Sequence, residues 1–228
     1  MAQLQFERVS NAGRETRTFH ADNLVVAGWT GRDQAALQHH IDELASLGVA
    51  PPSRTPIFYR CGVDLVTQTE HLQVLGHQTS GEIEYVLLAF EDGLCVTVGS
   101  DHTDREAEAM GVALSKQLAG KVLGRTCWPL SEMLARWDDF TLKSWATING
   151  ERALYQDGTF AMIQPPAALM QGFAAADTLA TGTVMMSGTP PAIGGIRPAS
   201  RFEMELTCPT TGRVLQHGYT IEALDVVR

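Results

Sequence analysis

No Cys-x-x-Cys pair occurs in the chain, and its four cysteines, Cys61, Cys95, Cys127 and Cys208, stand far apart with no histidine at zinc-finger spacing. That excludes a zinc finger or ribbon and leaves four thiols expected to be reduced and mostly buried. Basic clusters are missing too. With 26 acidic against 17 basic residues and a net charge of −9, the chain presents no electrostatic footprint for nucleic acid. No apolar run approaches the length of a membrane span, and residues 1–8 lack the basic flank and apolar stretch of a signal peptide. The expectation is a cytoplasmic protein that does not enter membranes. Repeats, low-complexity tracts and linkers are also absent, so residues 1–228 are expected to form a single domain. A 44% hydrophobic and 19% charged composition lies far from the disordered range, so the whole chain should fold.

One stretch concentrates charge where the sequence is otherwise apolar. Gly81-Glu82-Ile83-Glu84-Tyr85-Val86-Leu87-Leu88-Ala89-Phe90 runs to Asp92-Gly93 and returns as Leu94-Cys95-Val96-Thr97-Val98-Gly99-Ser100-Asp101. Asp-Gly between apolar runs signals a β-hairpin, and a two-residue loop at 92 and 93 places Glu84 opposite Asp101. Glu82, two residues from Glu84, shares its face, and paired side chains lie about 5 Å apart at Cβ. Three carboxylates therefore converge. Ile83, Tyr85, Leu87 and Ala89 face one way while Val86, Leu88 and Phe90 share the acidic side, the pattern of a strand buried on both faces. Facing like charges destabilise a sheet, and buried carboxylates need neutralising. A divalent cation with oxygen ligands at about 2.0–2.1 Å, Mg²⁺ or Mn²⁺, does so. The register leaves a second reading, a strand end whose acids face water.

Elsewhere the pattern predicts a buried strand at 24–29, then a helix capped by Asp33 and running to Leu47, with Gly48, Pro51 and Pro52 beyond. Its apolar stripe is Leu37, Ile41 and Leu44. His40 and Glu43 sit three apart beside that stripe, and His39 also reaches Glu43. Such a pair is either an oriented general base or a surface ion pair. Strands are expected at 56–60 and 72–75. Thr103-Asp104-Arg105-Glu106 reads as a capping box, opening a helix with Ala107, Met110, Leu114 and Leu118 on one side and Gly120 near its end. Lys121 follows, either balancing the acids or as a solvated charge at the helix end. A short helix capped by Ser131 should come next. The rest is mainly β, with a type I′ hairpin at Asn149-Gly150 between 145–148 and 152–156, and strands at 182–186 and 202–206. Ser187-Gly188-Thr189-Pro190-Pro191-Ala192-Ile193-Gly194-Gly195 is too rich in glycine and proline for regular structure. It either presents backbone N–H groups to an anion or simply turns.

In this order the pieces resemble the fumarylacetoacetate hydrolase family, as a short and divergent branch, along nearly the whole chain. Val26-Ala27-Gly28-Trp29 through His40-Ile41-Asp42-Glu43-Leu44, then Pro52, Pro56 and Phe58, is similar to an N-terminal stretch carrying an H-x-x-E dyad and a P-x-x-P-x-x-F-x-K segment, with Arg60 at the lysine. Glu82-x-Glu84 matches the E-x-E metal pair, and Ser100 to Glu106 resembles N-D-x-S-x-R-D, whose first aspartate is the third ligand. Lys121 falls where an active-site lysine precedes a C-P-L-G segment. Asn149-Gly150-Glu151 with Gln156-Asp157-Gly158-Thr159 resembles N-G-E-x-R-Q-D-G-N-T, and Ser187-Gly188-Thr189-Pro190 resembles T-G-T-P-x-G-V-G. Two departures stand out. The helical segment that normally separates E-x-E from the third acid is replaced by the Asp92-Gly93 turn, and 29–33 lacks the usual asparagine-tyrosine pair.

The resemblance implies an α+β, predominantly β fold, a mixed β-sandwich roll with a few short helices, whose N-terminal strand and lid helix lie within about residues 1–60. It implies a homodimer, and Mg²⁺ or Mn²⁺ held by Glu82, Glu84 and Asp101. The implied activity is metal-dependent hydrolysis of a C–C bond in a small 2-oxo or β-dicarbonyl acid, acylpyruvate-like, through a metal-bound enolate. His40, oriented by Glu43, would activate water, Lys121 would stabilise the enolate, and Arg60, Gly188 and Thr189 would position the substrate. The alternatives are a lyase or isomerase on the same scaffold, acting as a 2-oxo acid decarboxylase, dehydratase or tautomerase, and a ligand-binding protein without turnover.

Overall fold

The computed structural model describes residues 2–46 and 50–227, leaving out the side chains of His40, Glu43, Leu44 and Ser46. Strands dominate. In chain order they are β1 (Ala2–Ser10), β2 (Gly13–Ala21), β3 (Asn23–Gly28), β4 (Ile57–Cys61), β5 (Val66–Thr67), β6 (His71–Leu75), β7 (Thr79–Ser80), β8 (Ile83–Phe90), β9 (Gly93–Asp101) and β10 (Thr103–Asp104). There follow β11 (Lys121–Leu123), β12 (Thr126–Pro129), β13 (Thr141–Ile148), β14 (Glu151–Thr159), β15 (Thr183–Met186), β16 (Arg201–Cys208) and β17 (Arg213–Leu224). The α-helices are short: α1 (Gln34–Ser46), α2 (Arg105–Met110), α3 (Val112–Gln117) and α4 (Pro166–Ala174). Among the described residues no helix is long and apolar enough to cross a membrane.

A mixed ten-stranded sheet runs β2-β1-β12-β9-β8-β15-β3-β4, with β11 joined to β9 and β5 to β11. A second sheet runs β14-β13-β16-β17-β6. The alternation along β8 separates two cores. Val86, Leu88 and Phe90 pack with Leu4, Phe6, Phe19, Leu24, Val26, Leu123, Cys127 and Met186, all from the larger sheet, which therefore curls around its own apolar interior. Ile83, Tyr85, Leu87 and Ala89 point the other way, into a cluster with Leu142, Phe202, Leu206 and Tyr219 of the second sheet. All eight residues of β8 are buried, as its two apolar faces require.

The β8–β9 hairpin forms, but not in the expected register. Phe90 pairs with Gly93 and Glu84 with Gly99, so the loop is Glu91-Asp92, and Asp101 lies opposite Glu82 rather than Glu84. The slip is two residues, and an even slip keeps every side chain on its face. Gly93 takes the positive φ (135°) at the strand's start. Arg8 and Arg17 hold Asp92 at 2.9 and 2.8 Å, fixing that tip.

Two helical expectations need correction. The helix after Asp101 is capped by Asp104, whose Oδ1 accepts the Ala107 N–H at 2.9 Å, and it breaks at Gly111 into α2 and α3. Thr103 instead opens the two-residue strand β10. The break removes the expected continuous apolar stripe: Ala107 is buried, whereas Met110, Leu114 and Leu118 are exposed. Ser131 caps nothing, since residues 130–139 form 3₁₀ turns entered from Pro129. The Asp33 cap and the Asn149-Gly150 turn, with φ of 51° and 85°, are as expected. The cysteines are free, with three buried and Cys61 partly so.

Candidate metal centre

Glu82, at the entrance to β8, and Glu84, on it, face the interior of the curled sheet beside Asp101 at the end of β9. Carboxylate oxygens of the three lie within 4.8 Å of one another. Glu84 and Asp101 are buried, with exposures of 1% and 0%. Gly99 is the direct neighbour of Glu84. A Cβ there would lie 2.7 Å from Val86 Cγ2 and 2.9 Å from Leu123 Cδ2, so glycine keeps the space beside the carboxylate open.

Three cations answer the three acids. Lys121 pairs with Asp101 across the β9–β11 ladder, fully buried, its Nζ 2.7 Å from Asp101 Oδ1 and donating to the His102 carbonyl at 2.7 Å. Lys116 reaches in from α3 to 2.6 Å from Asp101 Oδ2 and donates to Glu82 Oε2 at 2.8 Å. Arg105 joins Glu82 Oε1 at 2.8 Å to Glu108. Despite the short distances, neither lysine meets Asp101 at hydrogen-bonding angles, and both Asp101 oxygens are buried without a hydrogen bond. Lone pairs so placed are costly, and they suit a cation. The three carboxylates thus fit a hard, oxygen-ligated divalent ion, whose opposite ligands lie about 4.2 Å apart at ordinary bond lengths.

The electrostatics divide the two glutamates. Burial pushes Glu82 up, but Lys116 and Arg105 outweigh it and hold its carboxyl well below the usual range. Burial raises Glu84 well above that range, and the negative charges of Asp101 and Glu82 add to the rise. A carboxyl that carries a proton must release it to coordinate a cation, so binding should tighten as pH rises. Mg²⁺ calorimetry in buffers of different ionisation enthalpy should report net proton release, as apparent enthalpies that depend on the buffer. Identical apparent enthalpies in all buffers would contradict this.

The loop after β15 closes over the site. The Gly188 N–H donates to Glu84 Oε2 at 2.9 Å, so the group this loop meets is the protein's own carboxyl. Thr189 Oγ1 donates to the Ile83 carbonyl and accepts from Gln156 Nε2, both at 2.7 Å. Gln156 in turn accepts the Ile83 N–H at 3.0 Å, pinning loop, β8 and β14 together. Arg60, on β4 at the end of the larger sheet, hydrogen-bonds Asn23 Oδ1 at 2.7 Å. His40 and Glu43 lie on α1, but their side chains fall outside the described residues. Sequence reasoning missed Lys116 and Arg105. The arginine stood in the quoted Ser100 to Glu106 segment, whereas nothing local marks Lys116, which reaches Asp101 from α3, beyond the break at Gly111.

Curled sheet, backing sheet and interior carboxylate triad together define a protein of the fumarylacetoacetate hydrolase-like α+β fold. Solved structures share it. Cg1458 with inhibitor matches with a TM-score of 0.65 at 18% identity, over 92% of this chain and 81% of that one. A hexagonal crystal form of 2-keto-3-deoxyarabinonate dehydratase gives 0.65 at 13% identity, over 93% and 78%. 2-Keto-3-deoxy-D-arabinonate dehydratase complexed with magnesium and 2,5-dioxopentanoate gives 0.62 at 15% identity, over 92% and 77%. By sequence, the chain belongs to the family described as "Protein of unknown function (DUF2848)", which matches residues 27–219. No curated protein matches it.

Proposed function

We propose that this protein is a divalent-cation-dependent enzyme acting on a small anionic 2-oxo acid. The observation that carries the reading is the carboxylate triad, with Glu84 and Asp101 buried and the Asp101 oxygens lacking hydrogen bonds. Glu82, Glu84 and Asp101 would hold Mg²⁺ or Mn²⁺, which supplies Lewis acidity toward the carboxylate and oxo oxygens of such a substrate. Lys121, locked between Asp101 and the His102 carbonyl, keeps positive charge behind the site and favours negative charge developing in front of it. The Gly188 N–H orients Glu84, and Gln156 holds Thr189 at the same edge. His40, held by Glu43, is proposed to activate water for C–C hydrolysis of an acylpyruvate-like acid, with Arg60 assisting with the substrate. A homodimer belongs to the same proposal, and a monomeric mass by light scattering would discard it.

A second reading, elimination of water from a 2-oxo acid, is favoured by the structural likeness to the dehydratase complexed with magnesium and 2,5-dioxopentanoate. It needs no water nucleophile. The test begins with chelator-treated protein and a Mg²⁺ titration. Binding should be seen in the wild type and be lost in Glu82→Ala/Glu84→Ala; absent or undiminished binding would sink the proposal. Acylpyruvates and 2-keto-3-deoxy sugar acids are then offered with Mg²⁺. His40→Ala should abolish hydrolysis and leave elimination partly intact, while bound but unchanged acids would mark a ligand-binding protein instead.

A further inference from the structure

The triad carries two lysines whose situations differ. Lys121 sits on a strand, 0% exposed, and its ammonium is tied to a backbone carbonyl as well as to Asp101. Lys116 comes from α3, a six-residue helix that follows the Gly111 break, and reaches the acids through its flexible stem. Its ammonium lies 2.6 Å from Asp101 Oδ2, 2.8 Å from Glu82 Oε2 and 3.1 Å from Thr103 Oγ1. It thus holds together two of the three carboxylates that a divalent ion would draw on.

An ammonium and a divalent ion cannot both sit on these oxygens. A hard ion at about 2.0–2.1 Å from Glu82 and Asp101 would stand within van der Waals range of the Lys116 nitrogen, with like charges facing across a largely buried site. We infer that Lys116 is the resident cation of the triad, and that a divalent ion binds by displacing its ammonium from Glu82 and Asp101. The inference rests on the reading of the triad as a divalent-cation site. Its physical role is twofold: the acids keep a counter-ion while no metal is bound, and the metal must compete for its place. Lys121, buried and anchored, stays where it is and cannot make this exchange. Lys116 is therefore a positioning residue for the metal, acting through the carboxylates.

The test uses chelator-treated full-length protein and needs no substrate. Mg²⁺ affinity is measured by calorimetry for the wild type, Lys116→Met and Lys116→Arg. Removing the competitor should tighten binding by roughly tenfold in Lys116→Met, within the usual range for coupled ligands, while Lys116→Arg, which keeps the charge, stays near the wild type. Independently, acetic anhydride labelling of the wild type, read by mass spectrometry, should modify Lys116 more when Mg²⁺ is saturating and leave Lys121 protected. Unchanged or weaker binding in Lys116→Met, or Lys116 labelling indifferent to Mg²⁺, would overturn the inference while the metal site stands. No binding in either wild type or Lys116→Met would overturn both. Should Lys116→Met fail to fold, the labelling of the wild type decides alone.

Discussion

Lys121→Met is expected to destabilise the chelator-treated protein by about 3–5 kcal/mol, the usual cost of breaking a buried ion pair from one side. Both partners are fully buried, and the pair bridges β9 and β11, so solvent cannot replace the lost charge. The methylene stem survives in methionine, which confines the effect to the ammonium and its bond to the His102 carbonyl. Equilibrium urea unfolding with chelator present measures it. The companion Asp101→Leu/Lys121→Met should recover much of the loss, because removing both charges leaves neither unpaired and Lys116 keeps Glu82. A single-variant loss below about 1 kcal/mol, typical of an exposed pair, would show that the buried contact contributes little.

Gly188→Ala should cost about 2 kcal/mol or more, and it should strike metal binding as well as stability. Gly188 has φ of 88°, where a non-glycine residue is strained by about 1–2 kcal/mol. A Cβ at that position would also collide with Thr30 Oγ1. The loop must shift, and with it goes the N–H bond to the Glu84 carboxyl, which contributes about 0.5–1.5 kcal/mol. Without that donor, Glu84 holds its proton more firmly and yields less readily to a cation. Mg²⁺ affinity should therefore fall. Gly194→Ala is the control: it shares the positive φ, 73°, but its Cβ would approach only the exposed end of Arg197. If both variants lose Mg²⁺ affinity equally, the Gly188 N–H has no special part in the site.

Much of this was legible in residues 81–101. Alternation placed all three acids on one face, and that conclusion survived a register wrong by two, because faces repeat with a period of two while partners do not. The turn was the weak point: Asp92-Gly93 marked the hairpin, yet the loop formed one residue earlier, with Asp92 drawn to Arg8 and Arg17 from the first hairpin. No local signal foretold those partners. Lys121 was expected beside the acids from the family resemblance, its place after a helix alone leaving a solvated charge open, and it lies on a strand rather than at a helix end. Lys116 was invisible because a continuous helix from 103 to 118 was expected, and the chain instead breaks at Gly111 and starts α3 anew. The Gln156 clamp on Thr189 and β8 is likewise a tertiary matter, joining residues 33 and 73 apart.

The order in which the chain can assemble its charges follows from where they lie along it. Glu82, Glu84, Asp101, Arg105, Lys116 and Lys121 all fall within residues 82–121, so acids and bases meet by short loop closures. The Gly188 N–H is 104 residues from Glu84 and arrives only when β15 docks. Contacts of such separation close slowly, and a cluster of carboxylates waiting for them alone would repel itself during collapse. With its counter-ions encoded beside it, the hairpin carries a nearly neutral cluster into the folding interior, and the distant loop only has to cover it.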